Sequence, residues 1–150
     1  MSQTLTRLLI HLIFSTRNRE PLITADVEPE LHAYLGGIAR NLESPALAIG
    51  GVEDHVHLLV SLSKNVALAR FVMELKRDSS KWIKTKGPSF STFAWQDGYG
   101  AFTIGESQVA ALTRYIAAQK EHHRRRTYQE EFIALLTKYG VVYDDRYVWG

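Results

Sequence analysis

The segment Glu53-Asp54-His55-Val56-His57-Leu58-Leu59-Val60 places two imidazoles two positions apart in a run of apolar residues. In a strand such positions point the same way, so His55 and His57 leave one face together while Val56 packs behind them. Neutral imidazole nitrogens converging on one point suit a divalent cation. Two sheet-packing or surface histidines give the same pattern, and the strand by itself leaves both readings open.

A second chemical pair lies in Tyr115-Ile116-Ala117-Ala118-Gln119. In a helix, positions four apart stand one above the other, so Tyr115 and Gln119 share a face while Leu112 and Ile116 turn inward. Gln119 can offer a carbonyl oxygen as a third metal ligand, with Tyr115 one turn away. A tyrosine can be a covalent nucleophile, but a phenol that ionises near pH 10 is weak at neutral pH unless a cation or base favours the phenolate. The helix alone equally suits a tyrosine at an amphipathic boundary. The chain has no cysteine. Thiolate metal sites, cysteine nucleophiles and disulfides are therefore excluded, and a metal must rely on His, carboxylate or amide groups.

The elements that position these residues can be read from apolar periodicity. Thr4 to Ser15 is a short, dense Leu/Ile/Phe run that reads as a buried strand. Thr24 supplies cap chemistry for a helix whose stripe is Val27, Leu31, Leu35, Ile38 and Leu42, ending at Pro45. Ala46 to Val52 and His55 to Leu62 read as two strands joined near Gly50-Gly51 to Asp54. Asn65 to about Lys84 is an amphipathic helix, and Phe93 to Ile104 reads as a fourth strand with an irregularity at Gly98 to Gly100. A helix from near Ser107 continues toward His123, and a last one runs from about Thr127 to Tyr139 with Gly140 as its C-cap. This order is the split β-α-β arrangement of an α+β, ferredoxin-like fold: an antiparallel sheet with helices on one face, the other face open, plus C-terminal helices carrying the tyrosine.

The 150 residues, 45% hydrophobic and 23% charged, fit a single domain over 1–150. No segment has the length or apolarity of a membrane span or the order of a secretion signal, which predicts a cytoplasmic protein and no membrane partner. The net charge of +2 is too small to name a partner, but its distribution is uneven. Lys76, Arg77, Lys81, Lys84 and Lys86 gather in one segment, and Lys120, Arg124, Arg125 and Arg126 gather around His122 and His123 in another. Each cluster suits either a solvated helix face or contacts to phosphates, with Lys76, Lys81, Arg124, Arg125 and Arg126 as the candidates. Trp82, Phe93, Trp95 and Tyr99 could stack on bases where exposed, although a domain of this size needs most of them in its core.

Taken together, D-H-V-H-L-L-V, the downstream Y-I-x-x-Q helix and I-H-L-I-F-S-T-R-N-R near the start resemble the small HUH transposases with a single catalytic tyrosine, of the insertion-sequence-200 type. The resemblance implies that His55, His57 and Gln119 bind Mg²⁺ or Mn²⁺ and that Tyr115 is the nucleophile. It also implies cleavage and rejoining of single-stranded DNA, often beside a hairpin, through a 5′-phosphotyrosine, in a homodimer. Glu53 stands where a proline often precedes D-H-V-H, and Ala118 where asparagine often precedes the glutamine; these departures bear on subgroup and target. Three alternatives remain at this level: a catalytically silent ferredoxin-like nucleic-acid-binding module, a metal-dependent phosphoesterase that does not use Tyr115, and a dimerisation scaffold.

Overall fold

Side-chain alternation along the inner strands sorts the core into two layers. In the computed structural model, which describes residues 2–150, β1 (Leu9–Ser15), β2 (Ala46–Val52), β3 (His55–Ser61) and β4 (Gly100–Thr103) form one antiparallel sheet. Its order is β2-β3-β1-β4. One face carries Leu12, Phe14, Val56, Leu58 and Val60, which pack with Leu31 and Leu35 of α1 (Glu28–Asn41) and Phe71 and Leu75 of α2 (Leu68–Lys84). The opposite face, expected to be open, is covered by α3 (Val109–Ala117), α4 (Gln119–His122) and α5 (Tyr128–Lys138). The reason is that Ile13 and Phe102 also point that way, and Tyr128, Phe132 and Leu136 of α5 bury them. Each such Phe or Leu contributes on the order of 1.5–3 kcal/mol, which stabilises a helix too short to persist alone. The architecture is the expected ferredoxin-like α+β fold with the tyrosine on the added helices.

The first strand begins at Leu9 and not at Thr4, the second helix at Leu68 and not at Asn65, and three further expected boundaries move. The fourth strand shrinks to Gly100–Thr103, and the carbonyls of Gln96, Asp97 and Gly98 before it turn to Lys76 Nζ, at 2.8, 3.2 and 2.6 Å. Phe93 and Trp95 still reach the core, Trp95 from an isolated antiparallel bridge to Thr16. The helix from Ser107 to His123 is interrupted at Ala118, whose φ of −95° and ψ of 16° separate α3 from α4. Thr24 closes a preceding turn through its carbonyl, and α1 itself begins at Glu28 with Pro29 in its first turn. The last helix keeps its expected ends: Thr127 and Glu130 form a reciprocal capping box, and Gly140 follows with φ of +65°.

Two glycines let helices approach the histidine-bearing face. A Cβ on Gly50 of β2 would lie 2.3 Å from the Ile116 carbonyl oxygen of α3, and one on Gly100 of β4 would lie 2.7 Å from the Phe132 ring of α5. Gly50 also pairs with His57 across the sheet, so the position that seats α3 stands beside a candidate ligand. Among the described residues no helix is long and apolar enough to cross a membrane.

Candidate active site

Period-two geometry delivers His55 and His57 to the face under α3 and α5, where both are fully buried. Their ring centroids lie 5.2 Å apart. His55 Nδ1 donates to Asp54 Oδ1 at 2.7 Å, because a carboxylate can only accept. His57 Nδ1 meets His11 Nε2 at 2.7 Å. The outer nitrogen of each ring is thus engaged, and both Nε2 atoms face the space beneath α5. A buried carboxylate stands there: Glu131 Oε1 lies 3.4 Å from His55 Nε2 and 3.0 Å from His57 Nε2.

The tyrosine helix meets the same carboxylate. Tyr115 donates its hydroxyl proton to Glu131 Oε2, and Gln119 Nε2 donates to that oxygen at 3.2 Å. Gln119 Oε1 lies 3.2 Å from His55 Nε2. His55, His57, Tyr115 and Gln119, distant along the chain, are therefore brought together within one protomer; the Tyr115 ring is 5.8 Å from that of His57. The break at Ala118 does not separate Tyr115 from Gln119, because both converge on Glu131.

Sequence reading missed three members of this cluster. Glu131 falls on the stripe of α5 that also carries Tyr128, Phe132 and Leu136, and a carboxylate at such a position is the signal that could have found it. His11 is the one imidazole in the apolar first strand, buried and stacked on His57. His123, counted only as part of a basic cluster, places Nε2 3.0 Å from Glu131 Oε1 and donates from Nδ1 to the Arg126 carbonyl at 2.7 Å.

Charge is divided unevenly over the centre. Burial lowers His55, but the Asp54 and Glu131 carboxylates outweigh it and raise its pKa to about 9. Burial dominates at His57, lowering it to about 4 against the pull of Glu131, and at His11, lowering it to about 3. Burial would raise Glu131, yet its contacts with His123, His55 and His57 hold the carboxyl well below the usual range. Tyr115 is pushed well above an ordinary phenol by burial and by Glu131. Imidazole nitrogens, an amide oxygen and a carboxylate turned inward, with the outer ring nitrogens held, are a donor set that fits a divalent metal ion.

The basic candidates divide between two sides. Lys76 is half-buried with its ammonium engaged by three carbonyls, and Lys81 is exposed on α2, across the sheet from the histidines. Arg124, Arg125 and Arg126 are exposed and line a groove of about 480 Å³ with Arg19, Asp54 and His123, at the edge of the histidine cluster. A cleft of about 360 Å³ opens on the other side of Tyr115, lined by His11, Gln108, Leu112, Arg126 and Lys138 among others. Of the aromatic candidates, Phe93 and Trp95 are buried, and Trp82 is stacked on Tyr34. Tyr99 stands at the surface over Lys76.

Known proteins share this sequence pattern and this fold. Residues 4–119 match the family model described as "Transposase IS200 like". The ISDra2 transposase TnpA of Deinococcus radiodurans is 27% identical over 116 residues, covering 74% of this chain and 83% of its own length. A crystal structure of a candidate transposase from Deinococcus radiodurans R1 shares 26% identity with a TM-score of 0.62, over 79% of this chain and 98% of that one. A REP-associated tyrosine transposase, solved bound to a REP hairpin, has a TM-score of 0.59 at 15% identity, over 82% of this chain and 74% of that one; that likeness is one of fold.

Proposed function

Because the chain belongs to the IS200-like transposase family, we propose that it cleaves and rejoins single-stranded DNA by attack of the Tyr115 hydroxyl on a scissile phosphate. The observation that carries this reading is that Tyr115 and both imidazoles of the H-x-H strand reach one carboxylate in a single protomer. His55, His57 and Gln119 would hold a divalent ion, Mg²⁺ or Mn²⁺, which when bound polarises the phosphate and offsets charge developing on it.

The residues around the phenol define the rest. With its ionisation pushed up, Tyr115 attacks as a hydroxyl that loses its proton during the step, and Glu131 Oε2 is the acceptor that the proton already faces. The bond from Tyr115 Oη to phosphorus forms as the bond from phosphorus to the 3′ oxygen breaks. The released 3′ oxygen takes a proton from water, and the protein retains a 5′-phosphotyrosine. That phosphodiester keeps the energy of the broken linkage, so a 3′-hydroxyl from another strand can reverse the step and join DNA without a nucleotide cofactor. The exposed Arg124, Arg125 and Arg126 supply the phosphate contacts nearest the chemistry, whereas Lys76 and Lys81 face the other side of the sheet. The REP hairpin held by the fold neighbour makes a hairpin beside the cleaved strand the natural substrate to try. The chemistry requires one protomer, and a homodimer would add strand pairing to it.

The test is incubation with labelled single-stranded oligonucleotides, with and without hairpins, in Mn²⁺ or EDTA, followed by a denaturing gel. A metal-dependent protein–DNA adduct is expected. Cleavage without an adduct would favour a phosphoesterase, and binding without cleavage a silent module; either would overturn the reading.

A further inference from the structure

We propose that Glu131 and His123 are themselves ligands of the metal ion, so that ion binding and the docking of α5 over the site are one event. This rests on the reading of the site as a metal centre and goes beyond it, because both residues follow position 119, where the match to the family ends.

Donors and acceptors around the cluster can be assigned atom by atom. His123 Nδ1 faces a backbone carbonyl and His55 Nδ1 faces a carboxylate; both partners can only accept, so in each ring Nδ1 carries the proton. In the neutral form that binds a metal ion, an imidazole has one ring proton, so Nε2 of each ring then presents a lone pair. Those lone pairs face Glu131 Oε1 at 3.0 and 3.4 Å, and Gln119 Oε1 lies 3.2 Å from His55 Nε2. In that form the imidazole nitrogens, the Gln119 carbonyl oxygen and the Glu131 carboxylate all turn lone pairs toward one space, as the ligands of a cation do. A single cation at the centre satisfies every group at once.

The spacing agrees. One ligand atom from each of His55, His57, His123 and Glu131 lies within 4.8 Å of the others. Ligands held about 2.1 Å from an ion stand roughly 3.0 Å apart as octahedral neighbours and roughly 3.4 Å apart in a tetrahedron. The separations from Glu131 Oε1 to the three imidazoles, 3.0, 3.0 and 3.4 Å, lie within that range. Asp54, His11 and the Arg126 carbonyl then hold the outer ring nitrogens, as orienting partners of metal-bound imidazoles do. Gln119 Nε2 holds Glu131 through its second oxygen. Since Glu131 stands on α5 and His123 just ahead of it, the ion would fasten the C-terminal helix to β3.

The experiment is calorimetric titration of the metal-stripped full-length protein with MnCl₂, alongside thermal melting with and without Mn²⁺. The expected result is one Mn²⁺ per chain, an affinity about 10- to 100-fold weaker in both Glu131→Ala and His123→Ala, and a smaller Mn²⁺-induced rise in melting temperature in each. Glu131→Gln, which preserves shape, replaces the alanine variant should that one fail to fold, with the same loss expected. Mn²⁺ binding as tight as in the parent, or tighter, in the Glu131 and His123 variants would overturn the proposal; Glu131 would then be an occupant that the ion displaces. Loss of binding in His55→Ala together with unchanged binding in those variants would leave His55, His57 and Gln119 as the ligands and remove this extension alone. Absence of Mn²⁺ binding by the parent chain would remove the metal centre itself.

Discussion

Replacing Gly50 with alanine should damage catalysis more than it damages the fold. The added Cβ would sit 2.3 Å from the Ile116 carbonyl oxygen and 2.8 Å from Ile116 Cγ2. The side-chain methyl can turn away, but the carbonyl belongs to the backbone of α3 and cannot. Real Cβ atoms essentially never come closer than 3.0 Å, and ordinary contact begins at 3.4 Å, so α3 must lift by between 0.7 and 1.1 Å. Tyr115 is the next residue back along that helix and moves with it, away from a strand whose His57 is the register partner of Gly50. Overpacking of this kind costs roughly 1–3 kcal/mol of stability, while a displacement near 1 Å at a reacting group can cost about 100-fold in rate. The assay is single-turnover adduct formation on a single-stranded oligonucleotide, paired with urea unfolding. Gly37→Ala is the control: its Cβ on α1 meets nothing within 4 Å, and it should leave the rate unchanged while stabilising the helix by up to about 1 kcal/mol. Gly50→Ala with the parent's rate and stability would refute the idea that this close approach positions the nucleophile.

Three further outcomes follow from the same geometry. Tyr115→Phe should abolish covalent adducts while leaving DNA binding and melting temperature close to the parent's; adducts that persist would remove Tyr115 from the chemistry. Changing Arg124, Arg125 and Arg126 together to glutamine should reduce the slope of log affinity against log salt by about 2, from the single-strand coefficient of roughly 0.7 per phosphate contact, and an unchanged slope would place the DNA elsewhere. In EDTA the histidines should give a stability maximum near pH 6.5. An unfolded imidazole takes up its proton near that pH. His11 and His57 hold out to about 3 and 4, so their contribution is lost as pH falls. His55 keeps its proton to about 9, so its contribution is lost as pH rises through that value. His11→Gln should flatten the acidic limb of the melting curve against pH, and an unaltered limb would count against a buried neutral His11.

What the sequence disclosed depended on period and spacing. The H-x-H pair was legible because a strand period of two puts His55 and His57 on one face whatever the rest of the fold does, and Tyr115 and Gln119 because four helical residues make one turn. The strand order followed from apolar runs of the right length. The fourth strand was overestimated because Phe93 and Trp95 alternate as strand residues do, whereas the carbonyls of Gln96, Asp97 and Gly98 turn to Lys76, which only tertiary contact reveals. Glu130 and Glu131 are adjacent acids at the start of one helix; one caps Thr127 and the other is buried among histidines, and only the phase of α5 against the sheet separates them. His123 looked like part of a basic surface because its role depends on α5 folding back over the sheet face that was expected to be open.

The most direct measurement locates the covalent bond. Arg114 and Lys120 bracket a tryptic peptide running from Tyr115 to Lys120, so digestion of the purified adduct with trypsin and nuclease, followed by mass spectrometry, reads the linkage at one residue. The expected result is that peptide carrying a nucleotide through a 5′ phosphate on Tyr115, formed with Mn²⁺ and missing in EDTA. A 3′-linked nucleotide, attachment at any other residue, or cleaved DNA with no modified peptide would contradict the assignment of Tyr115 as the nucleophile.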